Sequence, residues 1–164
     1  MAAAILLERH ARELRSADLP LIERLIRESR IWALVDVLAG DVVGEVALRL
    51  RIGRTLDRWA RDEDFWVRRS SLLAELKPLK NGAPFEPFAR RADAMLDEPE
   101  FFIRKAIGWV LRETAKERPD EVVRWLAPRT HRASGVTMRE AVKYLDGRSA
   151  ARLLRAYKAG RPAT

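Results

Sequence analysis

Three observations on the sequence predict an all-α fold of stacked helix pairs. No segment sustains the apolar and polar alternation of a half-buried strand, whereas apolar residues recur at i, i+3 and i+4 throughout. A string repeats: Phe65-Trp66-Val67-Arg68-Arg69-Ser70 aligns with Phe101-Phe102-Ile103-Arg104-Lys105-Ala106 at an offset of 36, and Met138-Arg139-Glu140-Ala141 follows Ile103-Arg104-Lys105-Ala106 at an offset of 35. Trp32 precedes Trp66 by 34. Each copy follows a shorter helix, and helix pairs recurring at this period mark an α-solenoid of HEAT type. In such a stack the second helix of every pair lines one continuous, usually concave, face.

The elements follow in order. A first helix runs from about Ala2 to Leu14. Asp18 can cap a second, with Pro20 in its first turn and Leu21, Ile22, Leu25 and Ile26 as its apolar face. A third starts near Ser29, with Ile31, Leu34, Val35 and Leu38 as core stripe; Trp32 and Asp36 lie about 100° round from it, one turn apart on a single flank. Gly40-Asp41 is expected to break or bend this helix before Val42 to Leu50 continue. Next come Leu56 to Ala60, the acidic run Asp62-Glu63-Asp64, and a helix from Phe65 to Leu76. Pro78, Asn81-Gly82 and Pro84 mark the longest loop. Phe85 to Leu96 form a helix, and Pro99 stands at the first position of the next, which runs to Lys116. Further helices begin at Pro119-Asp120-Glu121, span Thr137 to Leu145, and run from a cap at Ser149 to Ala159; Thr130 to Gly135 is a loop and Asp146-Gly147 a turn.

The chain has 164 residues, 48% of them hydrophobic, enough to fill the core of one domain spanning 1–164. There is no apolar run of about 18 residues and no leader-like start, so no membrane partner is expected and the cytoplasm is the expected compartment. Zero cysteines and two distant histidines, His10 and His131, make neither a disulfide framework nor a metal site, and no cofactor is expected. The formal charge is +8, most of it in the second half, and 26 of the 32 cations are arginine, which forks onto phosphate and stacks on flat groups. Coding bias and solvated helix faces are the ordinary explanation of such a composition.

The helix from Pro99 to Lys116 puts Ile103, Ile107, Val110 and Thr114 on its buried stripe and Trp109 off it. Lys105 and Arg112, four before and three after, share the tryptophan's face. An indole between two cations suits a surface that meets something anionic, or a face that approaches nucleic acid.

Glu100 to Lys116, with FWVRR at Phe65 to Arg69, Trp32-x-x-x-Asp36 and Met138-Arg139-Glu140-Ala141, resembles the AlkD-like DNA alkylation repair family, the HEAT-repeat alkylpurine DNA glycosylases, over about Ala2 to Leu145. The resemblance implies excision of cationic N3- and N7-alkylated purines from double-stranded DNA, without a metal and without flipping the lesion into a pocket. Matched by motif, the family's catalytic surface falls on Trp32, Asp36, Arg69 and Trp109, with Arg69, Lys105 and Arg112 toward the DNA. Asp36 would stabilise positive charge developing on the sugar or position water, the tryptophans would hold the cationic nucleotide, and Arg69 would clamp a phosphate. Family members begin with additional helices before the segment matching Ala2, so the first helix pair here is expected to expose an apolar face through which two copies could associate.

Each candidate also has an ordinary structural role. A tryptophan in a helical stack packs, Asp36 can be a solvated carboxylate, and Arg69 and Lys105 can pair with acids on neighbouring helices. Trp66, Phe102 and Trp125 read as packing. The alternative to a glycosylase is a non-catalytic repeat module that binds DNA or protein.

Overall fold

A computed structural model describes residues 2–160, and side chains from Ala4 onward. Met1 and residues 161–164, covered by the single-domain expectation, lie outside the described residues. Those residues form an all-α protein with no strand among them. The chain divides into two compact units, 1–91 and 92–164.

In the first unit, α1 (Ala2–Arg9) ends five residues before the expected Leu14. Ile5 and Leu6 on it are exposed. Helix α2 (Leu19–Ser29) buries Leu19, Ile22 and Ile26, while Leu21, expected in the core face, is exposed. Asp18 does not cap α2: its carboxylate turns back to accept the Arg15 N–H at 2.7 Å, closing a short 3-10 turn over Ser16–Asp18. Arg30, left-handed at φ 46°, ends α2.

Helix α3 (Trp32–Asp36) passes without a break through a π turn (Val37–Val43) into α4 (Gly44–Arg49). The expected break at Gly40-Asp41 is instead a widening of the helix, a form that recurs at functional sites. Ile31 is not core: it is the extended residue ahead of the helix and is exposed, while Val35, Leu38 and Val42 are buried.

Helices α5 (Gly53–Trp59), α6 (Phe65–Leu73), α7 (Leu76–Lys80) and α8 (Glu86–Ala94) follow, the division between units falling within α8. Pro78 lies in the first turn of α7, not in a loop; a missing N–H is tolerated there, and the actual turn comes at Gly82, φ 85°.

In the second unit, α9 (Phe101–Ala115) packs on α10 (Pro119–Leu126) and on α11 (Gly135–Ala141), and α12 (Gly147–Ala159) packs on α10. Pro99 precedes the cap rather than opening the helix, because the Glu100 carboxylate accepts the Phe102 N–H at 3.2 Å. Asp64 does the same for Trp66 at 2.8 Å and Ser134 for Thr137 at 3.1 Å. The caps of α6, α9 and α11 therefore recur 36 and 34 residues apart, so the cap belongs to the repeat. For α12 the cap is Asp146, which accepts the Arg148 and Ser149 N–H groups, and not Ser149.

The same period organises the ion pairs. Arg58 and Arg27 both meet Glu23, and Arg27 also meets Asp62 35 residues on. Arg91 meets Asp57 and Glu75, and Arg129 meets Asp93. In Glu23–Arg58, Arg27–Asp62, Asp57–Arg91 and Asp93–Arg129, residues 34 to 36 apart carry opposite charge and meet.

Glu23 concentrates this effect. It accepts from Arg58 at 2.6 Å, Arg27 at 2.7 Å and the Nε1 of fully buried Trp59 at 2.7 Å. The Arg58 bond, against the opposing pull of burial and with help from Arg27 and Trp59, lowers its pKa from 4.5 to about 2. A carboxyl depressed on folding adds stability above its unfolded pKa, and that stability is lost as pH falls from about 4.5 toward 2. Glu140, described below, behaves alike. Thermal melts at stepped pH are therefore expected to show Tm flat above pH 5 and falling below it, as folding free energy is lost at up to about 1.4 kcal/mol per pH unit for each group. Glu23→Gln is expected to flatten that acid limb.

Candidate functional site

Asp36 closes α3 one turn after Trp32, so the two side chains share a flank of that helix. Arg69 comes from the middle of α6, which packs against α3. Its guanidinium grips Asp36 with two parallel bonds, Nε to Oδ1 at 2.8 Å and Nη2 to Oδ2 at 2.9 Å. Arg69 is 2% exposed and the Asp36 side chain 13%. This is a buried, forked ion pair with the carboxylate nearer the surface.

That burial changes the role expected for Arg69. A guanidinium this deep, with its fork on Asp36, holds the carboxylate's position; clamping a phosphate would require it to release Asp36. Trp32 is the opposite case, an indole 56% exposed with no hydrogen bond to a described residue. The first unit thus brings together an open aromatic face and a carboxylate locked from behind.

The second unit holds Trp109, Lys105 and Arg112 on α9. Trp109 is half-buried, off the core stripe of Ile103, Ile107 and Val110, all fully buried. Lys105 Nζ and Arg112 Nη1 each donate to Glu140 at 2.6 Å, and Lys143 Nζ donates to the same carboxylate at 3.0 Å. Burial tends to raise the Glu140 pKa, but the Lys105 and Lys143 bonds and the Arg112 charge overcome it and hold it at about 2. One buried carboxylate therefore gathers three cations, all reaching the surface, beside Trp109.

Gly108 makes that possible. A Cβ there would lie 2.7 Å from the Glu140 Cβ and 3.0 Å from the Thr137 carbonyl oxygen, so only glycine lets α11 come this close to α9.

Glu140 and Gly108 were not singled out from the sequence, though the repeat held the signal. Arg69, Lys105 and Glu140 stand in one repeat column, at offsets of 36 and 35, and each unit holds a pair of opposite charges about one repeat apart, Asp36 with Arg69 at 33 residues and Lys105 with Glu140 at 35. A shallow hollow lined by Arg54, Asp57, Arg58, Arg61, Asp62 and Glu63 contains none of the candidate residues. Among the described residues no group of His, Cys, Asp or Glu could hold a metal ion, and no helix is long and apolar enough to cross a membrane.

The described residues thus form an all-α repeat protein with an exposed indole beside a locked carboxylate, and the sequence carries a basic excess of +8. The chain matches the model of the DNA alkylation repair enzyme family over residues 1–145, and it belongs to that family, whose substrate is DNA. Among solved structures it is similar to one described as a predicted DNA alkylation repair enzyme from Enterococcus faecalis, with a TM-score of 0.79 and 27% identity, over 88% of this chain and 67% of that one. No curated protein matches it.

Proposed function

We propose that the chain is a DNA glycosylase that excises cationic N3- and N7-alkylated purines from duplex DNA by hydrolysing the N-glycosidic bond, without flipping the base. The observation that carries this reading is Asp36, whose carboxylate Arg69 fixes with two bonds on the same helix flank as the exposed Trp32. An alkylated purine is already cationic and leaves readily, so the enzyme's main task is electrostatic. As the bond breaks, positive charge develops on the sugar, and the Asp36 carboxylate stabilises it or orients the attacking water.

Trp32 offers its face to the cationic nucleotide, a contact worth about 0.5–2 kcal/mol, and Trp109 in the second unit is an indole of the same chemistry. An indole this exposed is suited to lie against a duplex surface, whereas a flipped base is gripped in a closed pocket. Lys105 and Arg112 contribute positive charge for the phosphates.

Asp36→Asn is expected to lower release of methylated purine from alkylated duplex by about 10²–10³-fold, the usual loss when one preorganised electrostatic group is removed, with duplex affinity nearly unchanged. Asparagine keeps one acceptor for Arg69 but loses the charge and turns its NH2 toward the second donor. Tm is therefore expected to fall, and base release is compared on protein still folded at the assay temperature. A folded parent chain that released no base would instead leave a module that binds DNA or protein without catalysis.

A further inference from the structure

Helix α12 lies beyond residue 145, where the match to the family ends, and it is charged unlike the rest of the chain. Residues 147–164 contain five cations and no acid, against 27 cations and 24 acids in residues 1–146, so +5 of the formal +8 sits in these 18 residues. Four of the five, Arg148, Arg152, Arg155 and Lys158, are on α12, and all four are exposed.

Their surroundings differ from those of most other cations in the second unit. Lys105, Arg112 and Lys143 meet Glu140, Lys116 meets Glu113, Arg129 and Arg132 meet Asp93, and Arg118 meets Glu121. None of the four on α12 forms a side-chain ion pair with a described residue. Asp146, the acid before them, is engaged with the backbone N–H groups of Arg148 and Ser149, and the Arg148 charge only adds to lowering its pKa.

The pattern on the helix is directional. At about 100° per residue Arg148, Arg152 and Arg155 fall within about 60° of one another, turned away from Leu153, the side chain that α12 buries. From Arg148 to Arg155 the helix rises about 10 Å, at about 1.5 Å per residue. Duplex DNA presents one charge per about 1.7 Å of its axis, so this stripe spans about six phosphates. Keeping like charges together on one stripe without counter-ions costs self-repulsion that a polyanion would relieve.

We infer that α12 is an accessory phosphate grip, contacting the duplex backbone through Arg148, Arg152 and Arg155 without reading sequence or lesion. The inference rests on the chain's acting on DNA, and its contacts are separate from Asp36 and its chemistry. The grip contributes affinity and on-rate, and the base-release step does not depend on it.

The test is the salt dependence of binding to an undamaged duplex of about 20 base pairs, followed by fluorescence anisotropy. For the full chain carrying Arg148→Gln, Arg152→Gln and Arg155→Gln, the slope of log K against log salt is expected to be shallower by about 2.7, three contacts at about 0.9 each. The Arg→Lys triple is expected to keep the parent slope, because counter-ion release follows charge. Since these side chains are exposed, Tm is expected to stay within about 2 °C. An unchanged slope in the glutamine triple overturns the inference, as does a lysine triple that restores none of it. Base release at saturating alkylated duplex should match the parent; a parent that releases no base defeats the glycosylase reading while the slope comparison still decides the role of α12.

Discussion

Arg69→Met is expected to destabilise the protein by about 3–5 kcal/mol, which for a chain of this size lowers Tm by roughly 10 °C. The loss is large because methionine fills much of the volume but leaves the Asp36 carboxylate, 13% exposed, without the fork that neutralises it. Asp36 must then turn to solvent, which removes it from the position the proposed chemistry needs. Arg69→Lys separates the two roles this arginine could have. Lysine keeps the charge but cannot make two parallel bonds. If Arg69 holds Asp36, the lysine variant loses stability and base release while the salt slope of DNA binding is unchanged. A slope shallower by about 1 with Tm intact would restore Arg69 as a phosphate contact.

Gly108→Ala is expected to lower Tm by several degrees. Two effects compete. Replacing glycine by alanine inside a helix ordinarily gains about 1 kcal/mol. Here the new methyl would sit 2.7 Å from the Glu140 Cβ and 3.0 Å from a backbone oxygen of α11, obstacles that cannot swing aside. Forcing α9 from α11 costs about 1–3 kcal/mol and draws Glu140 away from Lys105 and Arg112, so the clash outweighs the gain. Duplex binding should also weaken, because the three cations lose the carboxylate that gathers them. Gly53→Ala is the control: a Cβ there meets nothing within 4 Å, and Tm should hold or rise. A raised Tm for Gly108→Ala would mean that α11 is not seated on α9 as described.

Much of this arrangement was legible in the sequence, for local reasons. The helical period follows from apolar spacing, and the repeat from strings such as FWVRR and FFIRK. Trp32 and Asp36 share a flank because residues four apart always do, and Trp109 stands off its helix's apolar stripe by the same geometry. Periodicity fails where a neighbouring helix decides. Ile31 fits the stripe by spacing, yet it precedes the first helical turn and nothing covers it. Pro78 reads as a breaker, yet it falls in a first turn, where no N–H is required. Gly40-Asp41 reads as a break, yet the helix absorbs it as a π turn.

By itself, then, the sequence determined an all-α repeat protein of the DNA alkylation repair family and the helices that carry Trp32, Asp36, Arg69 and Trp109. Only the tertiary structure decided what those side chains face. Arg69 turns inward to Asp36, and Lys105, Arg112 and Lys143 converge on Glu140. The physical reason is that the hydrogen bonds of a helix are local, whereas a charge is neutralised by whichever neighbour the stack brings within about 3 Å, which for Asp36 and Arg69 lies 33 residues away and for Lys105 and Glu140 lies 35.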